Sequence, residues 1–148
     1  MNRLVELAFP SRTDYLAVAR LVVVAAASIE PALGEERLDN LRLAVSEACT
    51  NAIEAQQASG ATQEEILVRC QIDDERIAVE VLDQGGGFDP DTVPELPEPD
   101  RPERLDHESG LGLTLIRLLT DETQIVSSSQ GTLIRIIMYR EPSAQMAS

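Results

Sequence analysis

The chain has 148 residues, 43% of them hydrophobic, which is enough for one domain with its own core. Aromatic residues make up 3% and Trp is absent, so that core must be built from Leu, Ile, Val and Ala. With 26 acidic against 12 basic residues the formal net charge is -14, which excludes a nucleic-acid surface built on Lys and Arg.

Residues 3–9, RLVELAF, read as a short strand that Pro10 ends. No basic start leads into an apolar run, so no leader peptide is expected. Ser11 or Thr13 is placed to cap a helix running to about Ile29, closed by Pro31 and Gly34. The apolar stretch 16–29 is interrupted by Arg20 and Ser28 and is too short to span a bilayer. The chain is therefore expected to be cytoplasmic, without membrane contact. A second helix is predicted over about 35–58. In it Leu38, Leu41, Val45, Ala48 and Ala52 recur at spacings of three and four, giving one buried stripe, and Ser59-Gly60 stops it.

Two alternating strands follow, 66–72 and 76–83, joined by Asp73-Asp74-Glu75 as a hairpin turn. Cys49 lies on the helix and Cys70 on the first of these strands. With a single His in the chain they cannot complete a zinc site, and two free thiols are expected. Residues 84–109, QGGGFDPDTVPELPEPDRPERLDHES, show no apolar period, and a stretch of that length is a functional lid or a linker. A helix over about 111–119 and strands near 123–128 and 132–139, joined through Ser129-Gln130-Gly131, complete a single domain over 1–142, and 143–148 read as a frayed tail. This order predicts an α+β two-layer sandwich, with a mixed, mostly antiparallel sheet covered on one face by helices.

Three segments carry chemistry. In AVSEACTNAIEA (44–55), Glu47 and Asn51 are four residues apart and share a helix face. Asn supplies a neutral oxygen to a hard cation, and Glu can take a proton from an attacking hydroxyl. In VLDQGGGFDP (81–90), Asp83 ends an apolar strand before Gly85, Gly86 and Gly87. Glycines let backbone approach a ligand closely, and an Asp there can accept a hydrogen bond from an exocyclic amino group such as that of adenine. In ESGLGLTLIRLLTDE (108–122), Gly110 and Gly112 open a helix whose free N–H groups suit a phosphate, with Thr114 adding a hydroxyl. An acidic chain binding a nucleotide must counter the phosphate charge locally, by such N–H groups or by a divalent metal.

In order and spacing the three resemble the N, G1 and G2 boxes of the GHKL ATPases, the Bergerat-fold superfamily of gyrase, Hsp90, histidine kinases and MutL. SEACTNA is similar to the N box, DQGGGFD to the G1 box, SGLGLT to the G2 box and GTLIRI (131–136) to the closing Gly-Thr strand. The likeness spans about residues 5 to 140 and is nearest to the stand-alone anti-sigma serine kinases of bacterial partner switching. That resemblance implies ATP and Mg²⁺ as cofactors, Glu47 as general base and Asn51 as the metal-holding residue. It implies Asp83 as reader of the adenine amino group, with Gly85 and Gly87 shaping the pocket. Residues 89–109 would form the ATP lid, Gly110, Leu111, Gly112 and Thr114 would meet the phosphates, and Thr132 would lie near the base. The implied partners are a STAS-type anti-anti-sigma protein, a sigma factor and a second copy of the chain, joined through the N-terminal strand and first helix.

The sequence departs from that pattern in two places: Ala55 stands where relatives often carry His, and Glu108 where they often carry a basic residue. A non-catalytic ATP-binding module that switches a partner by occupancy is therefore the alternative to a kinase. The catalytic domain of a sensor histidine kinase is a third reading; against it, the one His, His107, falls in the lid stretch.

Overall fold

The computed structural model describes residues 2–85 and 108–140. Strand β1 (Arg3–Pro10) leads through a 3-10 turn (Thr13–Tyr15) into helix α1 (Leu16–Ile29) and then helix α2 (Glu35–Ser59). Strands β2 (Glu65–Ile72) and β3 (Arg76–Asp83) follow, then helix α3 (Glu108–Leu119) and strands β4 (Glu122–Ser128) and β5 (Gly131–Tyr139). The sheet order is β1-β2-β3-β5-β4, and every strand pair among the described residues is antiparallel. The α+β class stands. The antiparallel pairing of β2 with β3 and of β4 with β5 follows from their short connections: the turns at 74–75 and 129–130 can only reverse the chain.

The helices cover one face of the sheet. Alternation sends Phe9, Ile66, Val68, Cys70, Val79, Val81, Ile134 and Ile136 into the layer between sheet and helices. Helix α2 meets them with Leu41, Ala44, Val45, Ala48, Cys49 and Ala52, the stripe expected from its spacing. Leu113 and Ile116 of α3 close the same core. Burial pushes both thiols, Cys49 and Cys70, up to about 12, so they pack as small apolar groups rather than as nucleophiles. No helix among the described residues is long and apolar enough to cross a membrane.

The helix ends show what sequence chemistry did and did not settle. Gly60 caps α2 in the left-handed conformation at φ 81°, as Ser59-Gly60 suggested. Neither Ser11 nor Thr13 caps α1: the chain enters it through the 3-10 turn, with no side-chain cap at either junction. Ser11 is buried instead, and its hydroxyl donates to the carbonyl of Ile53 on α2. The β2–β3 turn is held by Asp73, whose Oδ1 accepts the N–H groups of Glu75 at 2.8 Å and Arg76 at 2.9 Å.

Candidate functional site

Helix α2 is the spine of the site. Glu47, Asn51 and Ala55 follow one another at i, i+4 and i+8 and so lie along one face. Two glycines from distant segments rest on that line. A Cβ built on Gly112 of α3 would stand 2.9 Å from Oε2 of Glu47 and 3.5 Å from both amide atoms of Asn51. A Cβ built on Gly85 would stand 2.7 to 2.8 Å from the carbonyl carbon, oxygen and Cβ of Ala55. At Gly85 the backbone of α2 leaves no room for a side chain, whereas at Gly112 only the side chains of Glu47 and Asn51 stand close. The structure therefore joins the first segment to the third at Glu47 and Asn51, and the first to the second at Ala55.

The end of β3 forms one cluster. Asp83, 8% exposed, pairs in register with Thr132 of β5. The Gly85 N–H donates to Asp83 Oδ1 at 2.9 Å. Burial pushes the Asp83 carboxyl up, while the N–H groups of Gly85 and Thr132 act in the opposite direction by stabilising the carboxylate. Thr132 is itself buried, and its hydroxyl shares a 2.8 Å hydrogen bond with Ser127 of β4. Gly131, at φ 148°, closes the cluster: a Cβ there would fall 2.1 Å from the Asp83 carbonyl oxygen. A buried carboxylate beside a glycine-lined strand end can accept a hydrogen bond from an amino group of a flat ligand.

The other cluster lies at the start of α3. Asn51 is 9% exposed, and its Nδ2 has no hydrogen-bond partner among the described residues. A buried amide donor without a partner costs free energy unless a ligand completes it. Gly110 and Gly112 sit in the opening turns of α3, whose N–H groups and dipole favour an anion. Leu111 is half-exposed there, and Thr114 lies one turn on, half-buried. No group of three or more His, Cys, Asp or Glu among the described residues could hold a metal alone. A divalent cation at this place would take most of its oxygens from phosphates and water, with Asn51 as a protein donor, and the residues present fit that arrangement. Gly87 and the expected lid up to residue 107 lie outside the described residues.

One buried residue escaped the sequence reading. Gln56, fully buried one residue beyond Ala55, accepts the Gln84 N–H at 2.9 Å through Oε1. Its Nε2 donates to the carbonyls of Ala61 at 3.3 Å and Glu64 at 2.8 Å. Its only signal in the sequence is a polar residue near the end of a helix, which reads as solvated.

A profile of the family described as histidine kinase-like ATPase domain matches residues 9–138. Serine-protein kinase RsbW of Bacillus pumilus is 33% identical over 136 residues, spanning 87% of this chain and 82% of that protein. Anti-sigma F factor of Caldanaerobacter subterraneus subsp. tengcongensis is 34% identical over 143 residues, spanning 93% of this chain and 94% of that protein. The solved RsbU and RsbW domains of a Mycobacterium tuberculosis protein share the fold, with a TM-score of 0.65 at 16% identity over 95% of this chain and 33% of that longer one.

Proposed function

This chain belongs to the histidine kinase-like ATPase domain family, and we propose that it is an ATP-dependent serine/threonine-protein kinase and anti-sigma factor. It transfers the γ-phosphoryl group of ATP to a serine or threonine of a STAS-type anti-anti-sigma protein, and in its other state it holds a sigma factor. The observation that carries the reading is the meeting of Glu47 and Asn51 with Gly112 at the start of α3. That meeting sets a base and a buried, unpartnered amide beside a helix N-terminus.

Asp83 would accept a hydrogen bond from the exocyclic amino group of adenine, Gly85 and Gly87 would shape the pocket, and Thr132 would lie near the base. Gly110, Leu111, Gly112 and Thr114 would meet the phosphates, and Asn51 would hold the Mg²⁺ that accompanies them. MgATP supplies the electrophilic phosphorus. Glu47 takes the proton of the substrate hydroxyl as its oxygen bonds to phosphorus and ADP leaves. The stretch from residue 89 up to the start of α3 would cover the nucleotide, residues 108 and 109 of the expected lid being the first of that helix. The protein works in the cytoplasm and pairs with a second copy through β1 and α1.

The test is phosphotransfer from labelled ATP to the STAS-domain protein encoded nearest to this gene, with Glu47→Ala beside wild type. Transfer is expected to fall by roughly 10²–10⁴-fold in the variant while ATP binding is kept. Transfer at the wild-type rate would remove Glu47 from the role of base. ATP bound by wild type with no phosphate transferred would favour the second reading, a binding module acting by occupancy. Ala55 supports that second reading, because its short side chain packs under Gly85 where relatives often place an imidazole.

A further inference from the structure

The chemistry assigned above leaves Gln56 unused, yet no other buried polar side chain among the described residues bonds three separate backbone positions. Gln84 lies just past the last paired position of β3, where Asp83 faces Thr132, so the sheet offers its N–H no partner. Gln56 takes that N–H. One residue on, Gly85 lies against Ala55 and gives its own N–H to the Asp83 carboxylate. Residues 83–85 are thus fixed from two sides, by Gln56 from the helix and by Asp83 from the strand. The Nε2 bonds to Ala61 and Glu64 anchor the amide in turn, so that its oxygen has one orientation.

We infer that Gln56 is a positioning residue for nucleotide-base recognition, holding the Asp83–Gly85 segment on α2 so that the Asp83 carboxylate meets the exocyclic amino group of adenine. This rests on the reading of Asp83 given above. Gln56 follows Glu47 by nine residues on the same helix, about 13 Å of rise. One rigid element therefore sets the distance between the base-reading carboxylate and the phosphate end of the site. A shift of the strand end relative to α2 changes how well the base is read without touching the phosphate-binding turn of α3.

The test compares ATP, inosine triphosphate (which has a carbonyl where adenine has its amino group) and tripolyphosphate, each with Mg²⁺, on wild type and Gln56→Leu. Wild type is expected to prefer ATP over inosine triphosphate. Gln56→Leu is expected to lose ATP affinity by about tenfold, the worth of one well-placed buried hydrogen bond, and to lose most of that preference. Its tripolyphosphate affinity should stay at the wild-type value. An unchanged ATP-to-inosine ratio in a folded Gln56→Leu protein would overturn the role, since a purely structural residue lowers the melting temperature and leaves that ratio alone. A wild type that does not distinguish the two nucleotides would overturn both this inference and the reading of Asp83. Should the variant not fold, hydrogen exchange on wild type decides. The Gln84 amide is expected to be protected in the free protein and more so with ATP, and exchange there at the unprotected rate would overturn the proposal.

Discussion

Asn51 and Gln56 are two buried carboxamides five residues apart on α2, and they differ in how their hydrogen bonds are completed. Gln56 is fully buried, and both its donor and its acceptor atoms are satisfied by backbone groups from two other segments. Asn51 is nearly as buried, and its Nδ2 has no partner among the described residues. A satisfied buried amide ties elements together, whereas an unsatisfied one is a standing cost that folding alone does not repay. The first belongs to the architecture of the strand end. The second is what a site looks like before its ligand supplies the missing acceptor.

The two replacements by leucine, close to Asn in shape, should differ most in stability, which only the Gln56 variant is expected to lose. Gln56→Leu strands the Gln84 N–H and removes the bonds to the carbonyls of Glu64 and of Ala61, the latter keeping the Glu64 N–H, and should cost about 1–3 kcal/mol of stability. Chemical denaturation would show this as a clear drop in midpoint. Asn51→Leu removes a buried Nδ2 donor that has no partner among the described residues, so its denaturation midpoint should change little. Its affinity for MgATP, measured by calorimetry, should fall by roughly 10–150-fold, the worth of hydrogen bonds to charged groups. If Asn51→Leu were the variant that unfolds and Gln56→Leu the one that loses only nucleotide, the two roles would have to be exchanged.

Much of this site could be read from the sequence because its chemistry is local. Glu47 and Asn51 share a face by helix spacing alone, Asp83 stands where an apolar strand meets glycines, and Gly110 to Thr114 open a helix. The packing stripe of α2 and the hairpin turns at 73–76 and 128–131 were legible for the same reason. Gln56 was not, because its partners lie at 61–64 and 84, and only the docking of α2 on the end of β3 brings them together. Ser11 misled in the opposite way. A hydroxyl before a helix suggests a cap, but the chain turns through Thr13–Tyr15 first and leaves Ser11 facing Ile53. Gly131 read as the end of a turn and the start of a Gly-Thr strand, without a reason for the glycine. Its need for glycine appears only in the sheet register that lays it on the Asp83 carbonyl.

A finer probe of the Asn51 side of the contrast is Gly112→Ala. The new Cβ would meet Oε2 of Glu47 at 2.9 Å, the far end of a flexible side chain, which must shift to admit it. Alanine is also the better helix former, by roughly 0.5–1 kcal/mol. Stability should hold or rise slightly, and ATP binding should change little. Phosphotransfer should fall by roughly ten- to a hundredfold, because a base displaced by a fraction of an ångström no longer reaches the hydroxyl. Equal losses in binding and transfer would mean that the glycine makes room for the phosphates rather than for Glu47.

Asp83 stands between the two amides: its carboxylate receives N–H groups of Gly85 and Thr132, yet burial still raises its pKa. Between the unfolded and the folded pKa of that carboxyl, the folded chain keeps a proton that the unfolded chain has lost. Stability therefore falls as pH rises through that window and levels off above it. Asp83→Asn removes this titration and keeps an oxygen that can accept the same N–H groups. The stability of wild type relative to Asp83→Asn should accordingly be greatest at acid pH and decline as pH rises through the weakly acidic range. The change should be smaller than any of the effects above. A flat difference would mean that burial does not hold the carboxyl up. Saturating ATP should flatten the decline, because an amino group donating to Asp83 favours the ionised form and draws its pKa back down. If ATP left the slope unchanged, the adenine amino group would not be bonding to Asp83.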